Sequence, residues 1–262
     1  SVLDIDLGGG CTVLEAQLRI LRESGVDTSA PVLIAAGGHV PQPKTLGHVA
    51  GFEVRQGVDD GLRGPAGVVR DMAAAFATEA AQVLVLEANR FQVSGMIDLC
   101  EEHAMHHPAA TVAAAEEDEP AGATLLTGRC LSLVPPRGFM DLKEQLLSRV
   151  YEQGERIRAC RVPDGASLPV RTLAELLVLR DRLRSVGADW FAGSAEDRTQ
   201  EVVVTQSIIG AGAVLGPGSG VARSLVMPGA VVQAGEVLAD TVRRGAGAEA
   251  SKMSASRRGL SW

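Results

Sequence analysis

The stretch IIGAGAVLGPGSGVARSLVMPGAVVQAGEVLADTV, residues 208–242, decides how the chain is read. Its aliphatic residues recur at a step of six. Ile209, Leu215 and Val221 form one register, and Val226, Val232 and Leu238 form a second after a one-residue slip. Small residues follow the first three, at Gly210, Gly216 and Ala222. No helix has a period of six, and a flexible Gly-rich linker has no regular aliphatics. Hexapeptide repeats wind a parallel β-helix, with the aliphatic inward and small residues at the corners. The sequence therefore predicts a short left-handed parallel β-helix over residues 200–244. It has about two coils, at roughly 18 residues per coil for three six-residue faces. Two coils bury little alone, so this segment is expected to pack on the rest of the chain or on another subunit. The tail from 245 to 262, rich in Ser, Ala and Arg, is expected to be mobile.

Upstream, over residues 1–195, apolar runs alternate with helical patterns. Thr12 and Glu15 form a capping-box pattern ahead of Leu14, Leu18 and Leu21, with Gly25 placed to stop the helix. A strand is predicted from Val32 to Ala36, turning at Gly37-Gly38, and an alanine-rich helix from Gly67 to Ala81. Val83 to Leu86 reads as a strand, and 94–106 as a helix stopped near Pro108. The stretch 109–115 reads as an apolar strand, and Asp141 as the N-cap of a further helix. Strands alternating with helices predict a mostly parallel sheet covered on both faces. The acidic run 116–119 reads as a solvated turn.

A net charge of −7 excludes a polyanion-binding surface, which needs clustered Lys and Arg. Aromatics at 3% remove the stacking platforms of single-stranded nucleic-acid binders. Cys11, Cys100, Cys130 and Cys160 lie far apart with no CxxC pair, which suits reduced thiols better than a disulfide framework. No leader pattern opens the chain, and no run of about 18 apolar residues occurs. These features predict a soluble cytoplasmic protein with no membrane and no nucleic-acid partner.

In VLVLEANRF, residues 83–91, a buried strand runs into Glu87, Asn89 and Arg90. In open α/β sheets ligands bind at such strand ends, where a nucleotide-processing enzyme places a metal-binding carboxylate. Here an amide and a guanidinium stand there instead. Other candidates have simpler accounts. Gly8-Gly9-Gly10 ahead of the first helix could seat a phosphate, but it lacks a P-loop lysine and reads as a plain turn. Asp4 and Asp6 offer two carboxylates, a common occurrence near a terminus. Cys100, His103, His106 and His107 share one predicted helix, where histidines near a C-terminus are favoured without any metal. No metal site is expected.

An α/β part followed by hexapeptide repeats resembles the sugar-1-phosphate nucleotidyltransferases, of the mannose-1-phosphate guanylyltransferase type. SVLDIDLGGGCTVLEAQLRILRESGV resembles the family segment that follows its catalytic loop. VRQGVDDGLRGPAGVVRDMA resembles the Gly-Thr-Ala loop along the nucleotide base, with Gly64, Ala66 and Gly67 kept and Pro65 in place of threonine. GFMDLKEQLL resembles the family's Asp-Leu stretch. The resemblance implies a Rossmann-like (GT-A-like) nucleotidyltransferase domain, and a ligand site at Gly64, Pro65, Ala66, Gly67, Asn89 and Arg90. It also exposes departures. The family's triphosphate loop is not matched. Its first metal-binding aspartate aligns with Asn89 and its second near Pro169, and there is no room for its sugar-contact hairpin before AGATLL.

Mg²⁺ needs hard anionic oxygens, which an amide and a proline do not supply. Glu87 is the one nearby carboxylate that could make good the loss. The expectation is a catalytically impaired or regulatory relative, a pseudoenzyme of nucleotide-sugar metabolism. It needs no cofactor (Mg²⁺ only if active), takes a nucleotide or sugar phosphate, and forms a homo-oligomer or pairs with a related subunit. The alternatives are an active transferase whose loop lies upstream, a hexapeptide acyltransferase, or a purely structural assembly module.

Overall fold

The computed structural model describes residues 1–37, 46–59, 63–74, 81–115, 119–188, 198–199 and 202–245. The predicted mobile tail falls almost wholly outside them. So do 116–118 of the acidic turn, Gly38 of the first turn and 75–80 of the alanine-rich helix. The chain gathers into two compact units. One is residues 18–167; the other joins residues 1–17 to 168–262. The boundary near 200 read from the sequence follows a change of texture, whereas this division follows packing.

Helix α1, Val13–Glu23, starts where the sequence places it, with Thr12 Oγ1 accepting from Glu15 N at 3.2 Å. In the unit 18–167, β1 (Val32–Gly37) pairs in parallel with β3 (Phe52–Asp59). β2 (Gly47–Val49) pairs with β3 in an antiparallel hairpin. Ala50 and Gly51 form that hairpin's two-residue loop, both at positive φ, the conformation that matches strand twist. Helix α2 (Gly64–Ala73) follows, then β4 (Gln82–Leu86), β5 (Arg90–Gln92) and α3 (Met96–His106). The unit closes with β6 (Ala110–Ala114), β7 (Pro120–Thr127), α4 (Gly128–Ser132), a π-turn Leu142–Leu146 running into α5 (Leu147–Glu152), and β8 (Ile157–Arg161).

The central sheet has the order β4-β7-β6-β8. It corrects the expectation of a mostly parallel sheet. β4–β7 and β6–β7 are antiparallel, and only β6–β8 is parallel. The cause is the short 115–119 connection, since a few residues can only return a strand antiparallel. Ala66, Ala73, Leu126, Leu131, Met140, Leu142, Leu146 and Val150 pack into a single buried cluster of this unit. Asp141 is the N-cap as predicted, accepting from Lys143 N and Glu144 N at 2.8 Å each.

β9 (Ser167–Pro169) begins on the last residue of that unit, and in the other unit α6 (Leu173–Ser185) opens on a full capping box between Thr172 and Glu175. Leu173, Leu176, Leu179 and Leu183 are its buried stripe. After β10 (Arg198–Thr199) the chain visits three parallel sheets in turn. β11 (Val202–Thr205), β14 (Ser219–Ala222) and β17 (Val237–Ala239) form one, with β10 on its edge. β12 (Ile208–Ile209), β15 (Leu225–Val226) and β18 (Val242–Arg243) form the second, and β13 (Val214–Leu215) and β16 (Val231–Val232) the third.

The register returns every 17 residues, not 18: Ile208 lies beside Leu225, Val214 beside Val231 and Gly220 beside Val237. The one-residue slip in the sequence is the reason. Residues with left-handed backbone fall at Gln206, Gly212, Gly218, Arg223, Gly229, Gly235 and Asp240, so each 17-residue repeat steps by six, six and five. A row of small hydroxyls lines the short step. Ser207 Oγ accepts from Ser224 N at 3.0 Å, and Ser224 Oγ accepts from Thr241 N at 3.2 Å. These bonds satisfy backbone donors that the tight corner would otherwise bury unpaired. Val221, Val226, Val232 and Leu238 are buried together as the aliphatic pattern predicts, with Ile209 and Leu215 partly buried against them.

Candidate functional site

β4 ends in a turn that carries the candidate residues. Glu87 N donates to Gly122 O at 2.9 Å, and Arg90 N donates to Glu87 O at 3.0 Å. Asn89 stands exposed at its tip. Glu87, the one carboxylate there that could have replaced a missing aspartate, is paired with Lys143 Nζ at 2.5 Å. Arg90 is half-buried, its stem lying across Gly122, where a Cβ would come within 2.6 Å of Arg90 Cδ. Gly122 also sits at φ +77°, a conformation side chains disfavour, so both space and backbone call for glycine.

Ser167 fixes the guanidinium. Arg90 Nε donates to Ser167 Oγ at 2.9 Å and Nη2 to Ser167 O at 3.3 Å. Ser167 Oγ in turn donates to Ala121 O at 2.6 Å, which also accepts from Gln92 Nε2 at 2.9 Å. Sequence reading names Asn89 and Arg90 and misses Ser167, Gly122 and Lys143. The lone glycine within the AGATLL strand was the available signal for a close approach. Nothing local points to the other two.

The other half of the predicted site opens α2. Pro65 occupies its first turn and is exposed, while Ala66 and Gly67 are buried. The close approach permitted by the two glycines is to the chain itself. Ala66 N donates to Met140 O at 3.1 Å, and a Cβ on Gly64 would lie 2.5 Å from that same oxygen. A Cβ on Gly67 would meet Arg63 Cβ at 2.9 Å. Arg63 itself is fully employed, gripping Asp71 and the carbonyls of Pro135 and Gly138. The 138–143 segment therefore touches both predicted halves, through Met140 at Gly64 and Lys143 at Glu87.

The remaining carboxylate and metal candidates have structural employment. Asp6 is buried, and its Oδ1 accepts from Gly8 N at 2.7 Å and Gly10 N at 3.2 Å. Its Oδ2 accepts from Ala211 N at 2.7 Å. That occupies the glycine loop as well, since two of its N–H groups already face Asp6 rather than a phosphate. Pro169 lies at the end of β9 and is half-buried. Among the described residues, no group of three or more His, Cys, Asp or Glu is placed to hold a metal ion. His103 is turned into the core, its Nδ1 2.9 Å from Thr111 Oγ1, while His107 forms the left-handed C-cap of α3 and His106 lies by Glu102. Burial raises the thiols of Cys100, Cys130 and Cys160 above their ordinary range, which disfavours the thiolate that would bind metal or attack. All four cysteines are free. No helix among the described residues is long and apolar enough to cross a membrane.

Burial pushes the His103 imidazole below its ordinary value, and the nearby His107 and Arg129 add to the effect. The folded state thus binds the proton less readily than the unfolded chain. Stability is then fully present above the unfolded value of about 6.5 and is lost as pH falls through it. A thermal melt is expected to hold steady from neutral pH upward and to decline below that value. His103→Asn, which keeps a partner for Thr111, is expected to flatten the decline; an unchanged slope would assign the pH dependence elsewhere.

No protein-family profile matches this sequence, and no curated protein sequence matches it. Among solved structures, the chain is similar to a putative glucose-1-phosphate thymidylyltransferase from Bacillus anthracis in complex with a sucrose. The TM-score is 0.48 at 14% identity, over 72% of this chain and 87% of that one. A similarity at this level assigns neither an activity nor a ligand to the chain.

Proposed function

We propose that this is a sugar-phosphate nucleotidyltransferase-like protein of nucleotide-sugar metabolism that binds a phosphorylated ligand without transferring a nucleotidyl group. In this reading the α/β part, about 1–195, is GT-A-like, and residues 200–244 form a left-handed parallel β-helix that supports assembly with a second copy or a related subunit. The observation that carries the loss of chemistry is the turn after β4. Asn89 stands where the resemblance calls for a metal-binding aspartate, and Glu87 beside it is neutralised by Lys143. Nucleotidyl transfer needs Mg²⁺ on anionic oxygens to gather the charge that develops as pyrophosphate departs. Pro169, near the second metal position, offers no oxygen anion at all. In this reading ligand contact is kept at Asn89 and Arg90, and in the segment Gly64, Pro65, Ala66, Gly67 at Pro65, its exposed residue.

The test is pyrophosphate release with Mg²⁺ across a panel of nucleoside triphosphates and sugar 1-phosphates. No release above the uncatalysed background is expected, because losing even one such charge-stabilising group costs on the order of 100-fold. Asn89→Asp alone is expected to restore nothing, since the second acid is still missing. Robust turnover by this chain, abolished on Glu87→Gln, would overturn the proposal and make Glu87 the metal ligand.

A further inference from the structure

The turn that replaces the metal site has a charge balance of its own. Glu87 and Lys143 cancel each other at 2.5 Å. Arg90, held against the same turn through its N–H to Glu87 O, faces no carboxylate at ion-pair distance among the described residues. Its guanidinium is nonetheless fixed. A guanidinium offers one fork of donors along Nε and Nη2, and a second along Nη1 and Nη2. Ser167 occupies the first fork with two neutral acceptors, the hydroxyl on Nε and the carbonyl on Nη2. The second fork makes no hydrogen bond of its own among the described residues, and the planar group fixes its direction. A pre-oriented, uncompensated arginine fork matches a phosphate or carboxylate in bidentate geometry.

We propose that Arg90, seated on Gly122 and held by Ser167, binds a single phosphate monoester, with Ser167 and Gly122 as the residues that position it. This rests on the reading above that the chain binds a phosphorylated ligand, and it deepens that reading by naming the class. One uncompensated cation suits one phosphate group. A triphosphate would bring several charges to a turn where Lys143 is already engaged and Arg63 is committed to Asp71. Asn89, next in the chain and exposed, offers an amide that can donate a hydrogen bond without adding charge. The anion site thus stands in the place of a cation site. Arg90 occupies the neighbourhood where a metal ion would otherwise neutralise phosphate, and it supplies a fixed positive charge of its own.

Isothermal calorimetry on the full chain at low salt tests this, with inorganic phosphate, glucose 1-phosphate and adenosine triphosphate as the probes. Phosphate and glucose 1-phosphate are expected to bind one site per chain, and the triphosphate no more tightly than either. Arg90→Gln is expected to weaken glucose 1-phosphate by about tenfold or more, the scale of a charge-assisted pair. Arg90→Lys, which keeps the charge and loses the fork, should fall between. Ser167→Ala and Gly122→Ala are expected to weaken binding several-fold. The ligand-induced rise in melting temperature, measured on each variant that remains folded, separates a positioning role from a merely structural one. Lys143→Met, which frees the Glu87 charge beside Arg90, should also weaken binding. The proposal is overturned if Arg90→Gln binds glucose 1-phosphate as the parent does, or if the parent takes up neither phosphate nor glucose 1-phosphate at about 10 mM, where a single bidentate pair should register. A clear preference for the triphosphate would overturn the ligand class. Pyrophosphate release bears only on the loss of chemistry, so the two readings fail separately.

Discussion

A Val232→Asp chain is expected to melt roughly 8–16 °C below the parent, because an aspartate at this position has neither water nor a partner. Val232 is fully buried, packed with Val221, Val226, Ala230 and Leu238 inside the coil. Burying an unpaired carboxylate among such groups, and losing the aliphatic's own burial, costs about 4 kcal/mol or more. For a chain of this size each kcal/mol moves the midpoint by about 2–4 °C. Val231 provides the control. It is the neighbouring residue in the same strand, points outward and is 46% exposed, so Val231→Asp should move the melt by little. Scanning calorimetry on the two variants reads alternation directly. Equal shifts would mean that the inward assignment of Val232 is wrong.

The second large effect is expected at Asp6. Its two oxygens accept three backbone N–H groups, from Gly8, Gly10 and Ala211. Removing a buried acceptor leaves each donor without a partner, at about 1–3 kcal/mol apiece. Asp6→Ala is therefore expected to cost roughly 3 kcal/mol or more, placing it with core deletions rather than with surface changes. Asp6→Asn keeps one acceptor oxygen and should lose less. Amide hydrogen exchange supplies the local readout, since the Gly8, Gly10 and Ala211 amides should all exchange faster in Asp6→Ala. If only the two glycine amides respond, Asp6 closes its own loop and does not hold the coil residue.

The repeat was legible because aliphatics at a step of six fit neither a helix nor a flexible linker, and even the short step was visible as the slip between Val221 and Val226. Its cause was not. The hydroxyl row of Ser207, Ser224 and Thr241 and the left-handed Gln206, Arg223 and Asp240 recur at 17 residues, a spacing at which ordinary polar residues do not stand out. Helix starts were also legible, at Thr12 and Asp141, because capping is chemistry local to a few residues. Strand direction was not, because it depends on which strands pair, and β7 entered between β4 and β6. The candidate site divides the same way. Asn89 and Arg90 announce themselves at a strand end, whereas Ser167, which aims Arg90, comes from 77 residues away. Gly64 and Gly67 were named through the resemblance as part of a ligand loop, whereas the atoms that crowd them belong to Met140 and Arg63 of the same unit, a packing role that local sequence does not announce.

The coil's repeat also governs how this part of the chain can change in length. Each residue's neighbours above and below are set by the 17-residue return, seen in Ile208 beside Leu225 beside Val242. Adding or deleting one residue inside a coil shifts every later row, bringing outward residues such as Val231 and Val237 to inward positions. A whole inserted block of 17 would leave all existing rows in step and add one layer to the stack, with the hydroxyl row and the buried aliphatics simply extended. Gene duplication of such a block, or a designer copying one, could lengthen this segment without disturbing its packing. Drift by ones and twos could not.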